Sequence, residues 1–544
     1  MRRLLRLIIA CFLSAPAAAG CAAWSHTNEP LSPSGGAPPA TRATLHPREP
    51  RGDPGVLVLL ALSGGGSRAA WFSAAVMLEL EEILRDDGFN LLHEVDVISA
   101  VSGGSFPAAY YCISQDASPM VSIRTAVRSV PATLAEAVDV DASDPSRLTL
   151  RPRRPLTADD VTALKAHLAP AGPADVRALE RLRALSLKVR SGRPWSREEV
   201  EELFARDFRF RWLGNCLWPW NVALRWFTAY DRTDVLAQTL ADNLYDRSRS
   251  GFDLTFADLS PERPYLIINA TEGTSGDRVD WRKGDRSQAY GRRFTFTDEE
   301  FAGALASDLS SYSLGRAVAA SAAFPAVFNY MTLRNHHDPE REEYVHLFDG
   351  GNSDNLGLLS LRDVIRTAEA GAPEERPRRY VVISVDAATQ PVGKSAMAPD
   401  PRSALWEFLV GLDPNFLDTF DMLLLVNRSN VLASFLSTEE TFALARTAPV
   451  AEGWPGLAQQ RLNEPPTARF TAWQPHHLGA RLITWHITFA DLGALDGNLH
   501  ARVNRIPTAL SLTDDECDDL RRAAKLLVRS APEKLRAIRG CFAP

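Results

Sequence analysis

Val56-Leu57-Val58-Leu59-Leu60-Ala61-Leu62 followed by Ser63-Gly64-Gly65-Gly66-Ser67-Arg68 is the stretch from which the fold is read. Seven consecutive apolar residues with no polar alternation suit a strand buried on both faces, as in a parallel sheet. The glycines end that strand. A helical pattern then runs to about Arg85, with Val76, Leu78, Leu80, Ile83 and Leu84 as its apolar positions. A second apolar run, Val95-Asp96-Val97-Ile98-Ser99, leads into another glycine turn and a further helix. Strand, Gly-rich loop and helix in repetition predict an α/β class with a mostly parallel sheet. Later strands are expected at Tyr265–Ala270, Tyr344–Phe348, Tyr380–Asp386 and Leu482–Phe489, and a closing helix pair from Asp515 to Arg539, split near Pro532.

The chain has 544 residues, 45% hydrophobic and 23% charged, with a formal net charge of −7. That composition excludes global disorder and a multi-span membrane protein, and it leaves no basic footprint for nucleic acid. Six cysteines without a C-x-x-C or Cys/His cluster suggest no disulfide scaffold and no metal site, and no cofactor is expected. Cys517 and Cys541 are read either as a pair formed in an oxidising compartment or as two buried free thiols.

Residues 1–21 read as an export signal. Arg2, Arg3 and Arg6 precede the short apolar run 7–13, and small residues lead to Cys21. Ala18-Ala19-Gly20-Cys21 resembles a bacterial lipobox, whose cysteine is lipidated; the alternative is plain secretion with cleavage after Ala19. The lipobox reading implies an anchor in the bacterial outer membrane. Residues 22–54, rich in Ser, Pro, Gly, Thr and Ala, read as a flexible tether, and 55–544 as one folded domain. Within it, about 139–252 reads as a helical insertion and 390–544 as a C-terminal extension of the core.

Three constellations carry candidate chemistry. Gly64-Gly65-Gly66-Ser67-Arg68 sits between a buried strand and a helix, where consecutive amides face an anion. It lacks the Lys of a Walker loop. Gly64-x-Gly66-x-x-Ala69 formally fits a dinucleotide fingerprint, but the next strand ends in Ser99 rather than an acid. An oxyanion hole is the other reading. Ala100-Val101-Ser102-Gly103-Gly104 has the strand-turn-helix context of a nucleophile elbow; a Ser/Gly-rich turn is the plain alternative. Asp349-Gly350-Gly351, at a predicted strand end, would supply a base for a neighbouring hydroxyl, or form only an Asx turn.

Taken in chain order, these three stretches resemble the patatin-like phospholipase family. Ala320-Ser321-Ala322-Ala323-Phe324-Pro325 and Asn269-Ala270-Thr271 extend the likeness. The resemblance implies a three-layer α/β/α fold and a lipid acyl hydrolase of phospholipase A or lysophospholipase type. Ser102 would be the nucleophile and Asp349 the base. Gly64, Gly65 and Gly66 would form the oxyanion loop, and Arg68 would be its basic companion in binding substrate. The partners implied are a lipid ester and a membrane surface. A catalytically inactive lipid- or protein-binding lipoprotein on the same scaffold is the alternative. A rival triad of Ser102, Asp386 and His486 satisfies another chain order, although His486 lies inside an apolar, strand-like run. Finally, Trp212, Trp218, Trp220 and Trp226 crowd a stretch bracketed by Arg211 and Arg225. They read either as an interfacial docking helix or lid, or as a buried aromatic helix.

Overall fold

The computed structural model describes residues 28–31, most of 55–389, 424–432, 478 and 481–542. Residues 1–21, with Cys21, lie outside the described residues.

The central sheet has eight strands: β1 (Val56–Leu62), β2 (Val97–Val101), β3 (Tyr265–Glu272), β4 (Arg292–Phe296), β5 (Met331–Arg334), β6 (Tyr344–Asp349), β7 (Arg379–Asp386) and β8 (Leu482–Thr488). Traced from one hydrogen-bonded neighbour to the next, they run β5-β6-β3-β2-β1-β7-β8, with β4 also on β3. From β3 through β2, β1 and β7 to β8 every pairing is parallel; β4, β5 and β6 run antiparallel to their partners. Every residue of β1 except Leu57 is buried, because helices cover both faces, which is why the run shows no alternation. Leu59 and Ala61 of β1 join Tyr380 and Val382 of β7 in one core with Leu361, Ile365 and Ala368 of the helix Leu358–Ala370. Helix α1 (Gly66–Glu82) leaves the end of β1 and is buried continuously from Ser67 to Leu80. It packs on the helix Asp514–Arg529, with Trp71 Nε1–H donating to the Cys517 carbonyl at 2.7 Å. The expected closing helix pair is present, Asp514–Arg529 and Pro532–Cys541, and Cys517 and Cys541 are free, buried thiols.

Register on β3 decides where the chemistry falls. Val101 at the end of β2 pairs with Asn269, and Asp349 at the end of β6 pairs with the next residue, Ala270. The opposite edge of β3 is taken by β4, which pairs with Ile268 through Glu272. Each strand has two edges, so β2 and β6 share one. They run towards each other along it, and their C-terminal ends meet.

Two expectations are corrected. Residues 113–203 form a compact unit of their own. It starts well before residue 139, and it is not purely helical. A three-stranded antiparallel sheet, Val121–Ile123, Leu148–Pro152 and Val138–Asp141, lies beside the helices Ala158–Leu168 and Pro173–Leu187. Ile123, Leu148, Leu150, Leu164 and Leu182 form its core. The period-two pattern in Leu148-Thr149-Leu150 carries that sheet, but the surrounding Arg/Glu/Ala composition masks it. Residues 204–245, including the Trp-rich stretch, belong with the central sheet. Inside the expected tether, Glu29–Pro30 pairs with Ser307–Asp308. Buried Asn28 donates to the Arg334 carbonyl at 2.8 Å and accepts from the Arg334 amide at 2.9 Å. One polar side chain with two backbone partners holds this segment where composition predicted only a spacer.

Candidate active site

The site is built where β2 and β6 meet. Ser102 follows β2 and opens a short turn, Ser102–Gly104, before helix α2 (Ser105–Ile113). Its φ is +48°, a left-handed conformation that costs a non-glycine residue about 1–3 kcal/mol and persists only where its surroundings enforce it. They do so from three directions. The Ser102 amide donates to Ser321 Oγ at 2.8 Å. Ser105 Oγ donates to the Ser102 carbonyl. A Cβ at Gly103 would lie 2.0 Å from the Gly66 carbonyl oxygen, so only glycine lets the elbow press against the Gly-rich loop.

The Ser102 hydroxyl donates to Asp349 Oδ2 at 3.0 Å, and both residues are buried. Asp349 Oδ1 accepts from the Gly351 amide at 2.8 Å, so each carboxylate oxygen has one donor. Burial pushes the Asp349 pKa up to about 6, against the lowering effect of those two hydrogen bonds. The backbone of Asp349 is equally fixed. Its amide donates to the Ala323 carbonyl at 3.1 Å, and its carbonyl accepts from Thr271 Oγ1 at 2.8 Å. Both sequence-predicted residues therefore come together.

Ser321 and Asn269 have structural roles that their family-like stretches did not spell out. Ser321 ends the helix Leu314–Ser321. Its hydroxyl donates to the Asn269 carbonyl while accepting from Ser102. The Asn269 side-chain amide donates to Ser99 Oγ and to the Ala100 carbonyl, each at 2.9 Å. A lone Ser closing an alanine-rich helix and a lone Asn in a buried strand are the signals, since buried polar groups need partners.

The three glycines separate. Gly64 donates its amide to the Asn355 carbonyl at 3.0 Å, so it is a structural turn residue rather than a donor to an anion. Gly66 opens α1 with φ +62°, and Gly65 has φ +139°. No hydrogen bond from the Gly65 or Gly66 amide is found among the described residues. Those two amides sit at a helix N-terminus and suit an anion. Arg68 is corrected as well. It is buried, with Nε donating to the Ala387 carbonyl at 3.0 Å, Nη1 to the Ile506 carbonyl at 2.6 Å and Nη2 to Thr508 Oγ1 at 3.2 Å. These contacts tie the segment beside the Gly-rich loop in place, where Ser67 donates its amide to the Ala509 carbonyl at 2.7 Å.

Asp386 and His486 form a separate pair. His486 Nε2 lies 3.4 Å from Asp386 Oδ2, and Arg428 also binds that carboxylate. Although burial opposes it, the charge of Arg428, with His486, holds Asp386 well below the usual carboxylate range. His486 lies on β8, three strands from β2, or about 14 Å at ordinary strand spacing. Asp386 is buried and ion-paired to Arg428, and the hydroxyl of Ser102 points to Asp349. Among the described residues no group of three or more His, Cys, Asp or Glu side chains is placed to hold a metal.

A hydroxyl on a strained strand-to-helix elbow, hydrogen-bonded to a buried carboxylate beside a glycine loop, on a mostly parallel α/β sheet, is the architecture of a hydrolase. The patatin-like phospholipase family profile matches residues 60–362, and the chain belongs to that family. Among solved structures, VipD from Legionella pneumophila aligns at 12% identity over 89% of this chain and 68% of VipD, with a TM-score of 0.28. Human GIVD cytosolic phospholipase A2 aligns at 10% identity over 90% of this chain and 63% of the human chain, with a TM-score of 0.40. ExoU of Pseudomonas aeruginosa, in its complex with SpcU, aligns at 15% identity over 90% of this chain and 77% of that chain, with a TM-score of 0.20. No curated protein sequence matches the chain.

Proposed function

We propose that this chain is a serine acyl hydrolase cleaving carboxylic esters of lipids, of phospholipase A or lysophospholipase type, with Ser102 as nucleophile and Asp349 as general base. The observation that carries the reading is the 3.0 Å hydrogen bond from Ser102 Oγ to Asp349 Oδ2. Ser102 Oγ attacks the acyl carbonyl carbon while its proton passes to Asp349. The oxygen of the tetrahedral intermediate gathers negative charge beside the Gly65 and Gly66 amides, which supply donors of the kind an oxyanion needs. The intermediate collapses, the bond to the alcohol breaks, and protonated Asp349 returns the proton to that leaving oxygen. Water then loses a proton to Asp349, attacks the acyl-enzyme, and releases the fatty acid and Ser102.

Export, lipidation of Cys21 and an outer-membrane location are part of the same reading, supported by the order of basic, apolar and small residues before Cys21. The test is fatty-acid release from diacyl- and lysophospholipids by the purified protein and by Ser102→Ala. Release by the wild type that falls at least about a thousandfold in the variant is the expected result. Equal release by both overturns the assignment, and no release by either leaves a lipid-binding scaffold in its place.

A further inference from the structure

Two consecutive helices in the sheet-bearing unit turn their apolar side outward. They are α3 (Phe208–Leu217) and α4 (Pro219–Phe227), followed by α5 (Arg232–Leu240). Their inward side carries a polar network beside the rings of Phe208 and Trp212. Asn215 Nδ2 donates to Thr239 Oγ1 of α5 at 2.9 Å. Buried Asn221 donates to the Asn215 carbonyl at 2.9 Å and to Gln238 Oε1 at 3.0 Å. Tyr230 OH donates to the same Gln238 oxygen at 2.8 Å. Trp212 turns inward, its Nε1–H donating to the Arg232 carbonyl at 3.1 Å and its ring 5.4 Å from that of Phe328.

The outward side carries Phe210, Leu213, Leu217, Trp218, Trp220 and Trp226, all exposed; Leu217, Trp220 and Trp226 are 68–77% exposed. A helix pair normally buries its apolar side; here most of the large apolar side chains lie outward, with Phe208 and Trp212 the inward ones. Arg209, Arg211 and Arg225 are exposed among those side chains, and no Asp or Glu occurs between Phe208 and Tyr230. Tryptophan prefers the interfacial zone of a bilayer, where its ring body meets acyl chains and its N–H stays wet. Arginines without carboxylates add attraction to anionic headgroups. The pair is also rooted at the site. The Phe208 ring lies 6.0 Å from that of Phe106, four residues after Ser102. The Arg209 amide donates to the Leu510 carbonyl at 3.1 Å, next to Ala509, which touches the Gly-rich loop.

We propose that α3 and α4 form an interfacial docking surface for anionic phospholipid bilayers, which holds the elbow of Ser102 at the lipid surface. The assignment of a lipid substrate rests on the function proposed above; the docking surface rests on the helix pair itself.

The experiment uses the full chain carrying Cys21→Ser throughout, so that no acyl anchor contributes. Vesicles are made of dialkyl ether phosphatidylcholine with and without dialkyl ether phosphatidylglycerol, neither of which carries an ester for an acyl hydrolase to cleave. Sedimentation is expected to show binding that rises with phosphatidylglycerol and falls with salt. Brominated chains should quench tryptophan fluorescence. Trp218→Gln/Trp220→Gln/Trp226→Gln should weaken binding at least about tenfold, and Arg209→Gln/Arg211→Gln/Arg225→Gln should remove most of the salt dependence. An unchanged thermal midpoint confirms that each variant folds. The proposal is overturned by equal binding of the Trp variant or by tryptophan that brominated lipid does not quench. It is equally overturned by a wild-type dimer that dissociates in the Trp variant without any vesicle binding, which would assign the surface to a second copy. Without the Trp or Arg substitutions, a protein that hydrolyses a soluble ester but does not bind the vesicles would sink this surface alone; one that binds the vesicles but hydrolyses no ester would sink the catalytic reading alone.

Discussion

In an unfolded chain the Asp349 carboxyl titrates near 3.8, and in the folded protein near 6. A base must be ionised, so turnover of a soluble ester is expected to rise with pH through an apparent pKa near 6 and then level off. The same shift has a sign for stability. A raised folded-state pKa contributes stability that is fully present below the unfolded value and is lost as pH rises through the folded one. The protonated form is favoured in the fold, so keeping Asp349 ionised at neutral pH costs on the order of 2–3 kcal/mol, at about 1.4 kcal/mol per unit. Asp349→Asn should therefore unfold at higher denaturant than the wild type at pH 7.5, by up to that amount, and the gain should vanish near pH 4. Activity should meanwhile fall at least a hundredfold. An Asn variant less stable at pH 7.5 than the wild type would contradict the burial account. Ser321 makes a second residue-scale test. Ser321→Ala leaves the buried Ser102 amide without its acceptor, at a cost of about 1–3 kcal/mol in denaturant unfolding, and should lower turnover by loosening the elbow.

Single elements explain how far the Ser102–Asp349 pair was legible in the sequence. β2 and the turn after it carry the strand-turn-helix context of an elbow in five residues, with Ala100 where the motif has its first glycine, and Asp349 ends an apolar strand before a Gly-Gly turn. Each stretch alone also fitted a plain turn, and only the three in chain order, with the family resemblance they carry, singled out the two residues. Arg68 shows the limit. A basic residue beside a Gly-rich loop reads as an anion ligand, because its true partners, Ile506 and Thr508, are more than four hundred residues away in sequence. Gly64 was misjudged for the same reason, since its acceptor is the distant Asn355. Arg68→Met is predicted to leave the carbonyls of Ala387 and Ile506 without a buried donor, costing about 2–4 kcal/mol. Amide exchange across 506–510 should rise together with a loss of turnover. Unchanged exchange in that segment would return Arg68 to the substrate.

At the scale of the molecule, β1, β2, β3, β6, β7 and β8 were legible as apolar runs, whereas their order in the sheet and the meeting of β2 and β6 were not. That meeting depends on the pairing register of β3 with three neighbours, and no periodicity encodes that. The compact unit 113–203 was hidden by a composition that reads as helix, and the docked segment Asn28–Leu31 by one that reads as spacer. The export reading is a whole-molecule property with its own test. Wild-type protein expressed in a bacterium with an outer membrane should take up labelled fatty acid and fractionate with that membrane. Cys21→Ser should take up none and become soluble. Equal fractionation of both would remove the lipid anchor.

The central claim, that Ser102 is made nucleophilic by Asp349, is tested most directly by mass spectrometry of the protein after exposure to a fluorophosphonate. The account predicts one adduct, on the peptide containing Ser102, forming faster as pH rises through about 6 and slowed at least about a hundredfold in Asp349→Asn. Labelling at another residue, or labelling of Ser102 at the same rate with Asn at position 349, would contradict it.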